Sequence, residues 1–170
     1  NVILLNFQML TALALDGFAN ALEALVGLSI GASDRVRFLT TVALGMFWSI
    51  LFAGLFVGIY MIFGISLIAL LTDIFELRYE AGRFMIWAAI SPVVSVWCFV
   101  FDGIFIGATK GREMRNSMVF AAVLVFLPAW YLLQPLANHG LWIAFLLFFA
   151  ARGISMGWYY VKIDRRGGFV

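Results

Sequence analysis

The sequence predicts an all-α integral membrane protein, a bundle of about five transmembrane helices, and three observations carry that prediction. Charged side chains make up only 12% of the 170 residues and hydrophobic ones 65%, whereas a soluble domain carries about 25% charged residues. A chain with so little charge cannot cover a surface that faces water. Five apolar stretches also approach or exceed the roughly 20 residues that a helix needs to cross the hydrocarbon of a bilayer. Finally, runs such as SMVFAAVLVFLPAWYLL do not alternate apolar and polar residues. That removes the closed β-barrel, the other architecture that satisfies every backbone group in lipid.

The spans are expected at about residues 2–31, 38–66, 84–108, 117–134 and 141–161. The connections GASDRVR, TKGREMRN and QPLANHG are short, so the helices they join should be antiparallel neighbours. The connection LIALLTDIFELRYEAGR is longer and mixes apolar residues with Asp73, Glu76, Arg78, Glu80 and Arg83. It reads as an amphipathic stretch lying at the membrane interface. No linker or low-complexity segment divides the chain, so residues 1–170 are expected to form one transmembrane domain. Asn1 leads directly into Val2-Ile3-Leu4-Leu5, without the charged region or the small-residue cleavage site of a signal peptide. A start inside an apolar helix suggests a piece of a longer protein.

Basic residues set the expected orientation, because Lys and Arg accumulate in cytoplasmic loops. Arg35, Arg37, Lys110, Arg112, Arg115, Lys162, Arg165 and Arg166 fall on one side, against Arg78 and Arg83 on the other. The protein should therefore be multi-pass in the cell (inner or plasma) membrane, with its C-terminal end in the cytoplasm. No run of Lys and Arg is dense enough for a nucleic-acid surface. The single cysteine, Cys98, excludes an internal disulfide and a multi-cysteine metal site. It reads as a small buried apolar residue, and His139 as a solvated loop histidine. Trp87, Trp130, Trp142 and Trp158 suit interfacial belts.

Four G-x-x-x-G pairs, Gly27/Gly31, Gly54/Gly58, Gly103/Gly107 and Gly153/Gly157, lie on four different spans. Lipid tails are as apolar as leucine, so helices gain most where small residues let backbones approach. These pairs predict close helix packing.

Most charges lie in the connections or the tail, but Asp16, Glu23, Asp102 and Arg152 do not. An ionised group at the bilayer centre costs about 2.5–3.5 kcal/mol on insertion scales, so each needs a partner or a function. At 100° per residue, Asp16, Asn20, Glu23 and Gly27 make one narrow stripe along the first span. The stripe is either glue that hydrogen-bonds to neighbouring helices or a water-lined path where a carboxylate takes and releases a proton. In the third span, Pro92 removes a backbone bond and frees the carbonyl of Ala88, which predicts a kink. Arg152 lies too deep in the last span to reach the interface with ease, so a carboxylate should pair with it, and Asp102 is the expected partner.

Three stretches, LDGFANALEALVGLSIGA, YEAGRFMIWAAISPVVSVWCFVFDGIFIGATKGREMRNSM and NHGLWIAFLLFFAARGIS, together resemble the multidrug and toxic compound extrusion (MATE) transporters. The resemblance runs almost end to end and points to the branch named for the DNA-damage-inducible protein F. It implies a twelve-helix, two-lobed transporter of which these spans look like helices eight to twelve, most of the C-terminal lobe, with the N-terminal lobe absent. Helices seven and ten carry acidic residues in the sodium-linked relatives. Asp102 stands later on its span than that position, so their cation site is not carried over to it.

The function this implies is a secondary antiporter that exports cationic or amphipathic organic compounds in exchange for protons, or for sodium. Asp16, Asn20, Glu23 and Asp102 are its candidate ion or substrate-pathway residues. No catalytic residue, metal or cofactor is expected. The expected partners are small organic substrates, the lipid bilayer and the N-terminal lobe. One alternative is a flippase of lipids or lipid-linked precursors in the same superfamily. A remote one is an intramembrane aspartyl protease using Asp16 and Asp102, although the G-x-G-D motif of that class is absent.

Overall fold

The structure is a computed structural model that describes residues 1–170. It is built from helices α1 (Val2–Gly31), α2 (Arg35–Leu71), α3 (Phe75–Gly107), α4 (Gly111–Phe120), α5 (Leu127–Leu132) and α6 (Ala137–Asp164). A π-helical turn, Ala121–Phe126, joins α4 to α5, and a 3₁₀ turn, Gln134–Leu136, leads into α6. The π turn widens the helix just ahead of Pro128, which has no N–H to continue a regular ladder. Taking α4, the π turn and α5 as one span, five helices are long and apolar enough to cross a membrane.

The first span keeps its expected bounds, and each of the other four begins or ends beyond its apolar stretch. The 37 residues of α2 measure about 55 Å at 1.5 Å per residue, against a hydrocarbon thickness of about 30 Å. Hydropathy marks only the part in lipid, while the helix continues into the interface. This overturns the expected interfacial stretch between the second and third spans. Its apolar half completes α2, its charged half opens α3, and only Thr72, Asp73 and Ile74 separate them. Thr72 is extended (φ −152°, ψ 141°) and ends α2. Arg78 reaches back to serve the open C-terminal carbonyls: its Nε donates to Thr72 O at 2.7 Å and its Nη2 to Ala69 O at 3.1 Å. The same Nη2 pairs with Asp73 at 3.0 Å. A cation at a helix C-terminus also complements the macrodipole. At the opposite end, Asp34 caps α2 by accepting the Arg37 N–H at 2.9 Å.

Helix α3 is the hub and packs against α1, α2 and α6. The α1–α3 seam is closest at Gly103 and Gly107, where an added Cβ would collide with the backbone carbonyls of Ala19 and Glu23. Gly153 and Gly157 bring α6 onto Trp97 and Phe101. The other two pairs behave differently. A Cβ on Gly31, Gly54 or Gly58 would meet nothing within 4 Å, so the Gly54/Gly58 pair brings no helix close. Outside the four pairs, close approaches occur at Gly45 under the Leu22 side chain, at Gly64 beside Met85 and at Gly140 against the Leu133 carbonyl.

The loop joining α1 to α2, the start of α4 and the chain's C-terminal segment gather at one end of the bundle. Arg35 pairs with Asp164 there at 3.1 Å, and the Phe38 and Phe169 rings stack 5.2 Å apart. Gly167, with φ +63°, turns the chain after α6. Gly168 N–H then donates to Ile163 O and Gly167 N–H to Asp164 O, a Schellman motif. This turn sends Phe169 back among Phe38, Phe105 and Tyr160. The other end gathers Asn1, the α2–α3 junction and the start of α6. Asn1 Nδ2 donates to Asn138 Oδ1 at 2.7 Å, and Trp87 Nε1 donates to His139 Nδ1 at 3.0 Å.

Candidate functional site

Within the hydrocarbon-length part of the bundle, α3 and α6 bring one ion pair together. The guanidinium Nη2 of Arg152 lies 2.7 Å from both Oδ1 and Oδ2 of Asp102. The two side chains are only 11% and 18% exposed. Both residues sit more than one turn from their helix ends, in a setting where neither charge would be stable alone. Gly153 permits the contact by letting α6 approach Trp97 and Cys98 of α3. Cys98 is buried beside the pair and its Sγ donates to Phe149 O at 3.1 Å. Arg152 Nε is buried with no partner.

The α1 stripe lies next to this pair, along the flank of the α1–α3 seam. Gly103 and Gly107 pack on the backbone of Ala19 and Glu23, which places Asp102 opposite the middle of α1. Yet the stripe is not buried within this chain: Asp16 and Asn20 are exposed and Glu23 is half-buried. The buried face of α1 is instead Leu4, Thr11, Leu15, Leu22 and Val26, and the stripe lies to one side of it, touching the α1–α3 seam only at Gly27 and the Glu23 backbone. No side-chain hydrogen bond joins Asp16, Asn20 or Glu23 to another helix, so these residues do not glue the five spans together.

A second polar group went unnoticed in the sequence because its members are uncharged. Thr11 Oγ1 and Tyr60 Oη lie 2.8 Å apart, and Tyr60 Oη donates to Phe7 O at 2.9 Å. Ser91 Oγ donates to Ala88 O at 2.9 Å, the carbonyl that Pro92 frees, and also contacts the Gln8 amide. A hydroxyl has one proton, so Ser91 Oγ can donate to either Ala88 O or Gln8 Oε1 at one time. Gln8 and Thr11 share the α1 face with Leu4 and Leu15. That register places both on the packed face of the helix.

Five long apolar helices with an ion pair held between two of them define a multi-pass membrane protein. The MatE family model matches residues 2–132, and the chain belongs to that family. The family comprises membrane transporters rather than enzymes. The chain is 44% identical over 161 residues to the DNA damage-inducible protein F of Escherichia coli (strain K12). The alignment covers 92% of this chain and 34% of that relative, so the chain spans about a third of the relative's length. No solved structure matches the chain.

Proposed function

We propose that this chain supplies part of the C-terminal lobe of a secondary antiporter that exports cationic or amphipathic organic compounds in exchange for protons or sodium. The carrying observation is the exposed stripe of Asp16, Asn20 and Glu23 beside the Asp102–Arg152 pair. An acidic face that none of the five spans covers is costly against lipid. It is suited to a water-filled cavity closed by a second lobe, where carboxylates exchange a proton and attract a cationic substrate. Asp102, held through both oxygens by Arg152, would not share a proton with Asp16 as a protease dyad does. Its role in this reading is to fix α6 against α3 beneath the cavity. The end bearing Arg35, Lys110 and the α6 C-terminus would face the cytoplasm, on the distribution of basic residues.

Asp16→Asn, Glu23→Gln and the double variant test this in the complete transporter. Because both side chains lie off the packed face of α1, expression should stay near normal. Gradient-driven efflux of a cationic dye should fall at least tenfold in the double variant. Unchanged efflux in all three would overturn the assignment.

A further inference from the structure

The outward faces of α4 and α6 form a groove that the transport reading does not use. It is an open cavity of about 640 Å³, mostly apolar, with Asn116, Ser117 and Ser155 among its lining residues. Ser117 is fully buried and its Oγ has no hydrogen-bond partner. At Trp158 the groove runs into a second cleft of about 560 Å³, lined by Lys162, Arg165 and Arg166. The two clefts therefore form one channel, apolar along its length and basic at its end.

We propose that this channel binds an anionic phospholipid of the surrounding bilayer, acyl chain in the groove and headgroup in the basic cleft. Charge selects the occupant. Lys162, Arg165 and Arg166 are exposed and take part in no ion pair. The acid between them, Asp164, is turned to Arg35 of α2 at 3.1 Å, so three cations share one cleft without a counter-charge. Lys162 Nζ stands over the Trp158 ring at 4.6 Å from its centroid, with the indole between apolar groove and charged cleft. Length fits as well. Ala151, Ser155, Trp158 and Lys162 lie along one face of α6, and the rise from Ala151 to Lys162 is about 16 Å. One leaflet of hydrocarbon is about 15 Å deep. The Ser117 hydroxyl lines the groove without a partner in the chain, and would donate to an ester carbonyl of the lipid. Basic pockets between transmembrane helices hold anionic headgroups on this principle.

Native mass spectrometry of the purified full chain, titrated with phosphatidylglycerol or with phosphatidylethanolamine, tests the site. Phosphatidylglycerol should bind more tightly. Each of Lys162→Gln, Arg165→Gln and Arg166→Gln should weaken it roughly fivefold, and the triple variant on the order of 100-fold, with phosphatidylethanolamine unaffected. A charge-matched control, Arg37→Gln with Arg83→Gln and Arg112→Gln, should keep the preference. Ser155→Trp, which fills the groove, should weaken both lipids. Equal binding of the two lipids to the unaltered chain would overturn the proposal. So would a preference that survives the cleft substitutions, singly or together, or one lost equally in the control.

Discussion

At the scale of single residues, Asp102 and Arg152 are the pair whose removal should be felt most. Truncating one partner leaves a charge in a low-dielectric interior, at about 3–5 kcal/mol for a well-buried pair. Asp102→Asn should therefore lower the yield and thermal midpoint of the detergent-solubilised protein. Adding Arg152→Gln should restore part of the loss, because the stranded guanidinium is then gone. Size-exclusion thermal melts of the two variants check this, and a single variant as stable as the parent would mean that water reaches the arginine. The ion pair was legible in the sequence, since an arginine so deep in an apolar span needs an acid. The Gln8, Thr11, Tyr60 and Ser91 group was not, because uncharged polar residues also sit singly against lipid or bond to their own helix. Only the approach of α1, α2 and α3 distinguishes those cases.

At the scale of elements, glycine spacing suggested contacts but did not say which of them form. Gly103 and Gly107 meet carbonyl groups of α1, and backbone cannot yield as a flexible side chain can. Gly103→Ala and Gly107→Ala should each push α1 off α3 and destabilise the bundle by about 1–3 kcal/mol, the range for overpacking. Gly54→Ala and Gly58→Ala add a methyl to open space and remove a flexible residue from a helix. They should stabilise by about 0.5–1 kcal/mol. Thermal melts of the four variants give the signs, and similar losses in both pairs would show that α2 is packed on that side after all. The α2–α3 junction teaches the same lesson. Its charges suggested a stretch at the interface, but three residues suffice to reverse the chain once Arg78 serves the end of α2.

At the scale of the whole molecule, two polar ends enclose the apolar length of the bundle. Ser33 and Lys110 share an end with Arg35 and Asp164, while Asn138 lies at the other with Asn1. Single cysteines at Ser33, Lys110 and Asn138 in a Cys98→Ala background should follow this division. Only Asn138 should react with an impermeant maleimide added outside intact cells. Labelling of Ser33 and Lys110 with protection of Asn138 would invert the orientation drawn from the basic residues.

Composition and apolar run length determined by themselves that this chain is an all-helical, five-span membrane protein. Both are properties of local sequence, and in lipid a backbone with no water to bond must satisfy itself within each helix. The acidic stripe on α1 was legible too, because helical periodicity alone puts Asp16, Asn20 and Glu23 on one side. Whether that side is packed or open depended on where α3 approaches, and two glycines opposite Ala19 and Glu23 set that approach. The same holds for the lone cations of the α6 cleft. Their sequence, Lys-Ile-Asp-Arg-Arg, carries its own acid, and only the fold, by giving Asp164 to Arg35 on a helix more than a hundred residues away, leaves them free. Helix formation is decided by neighbours in sequence, and the partner of a charge by neighbours in space.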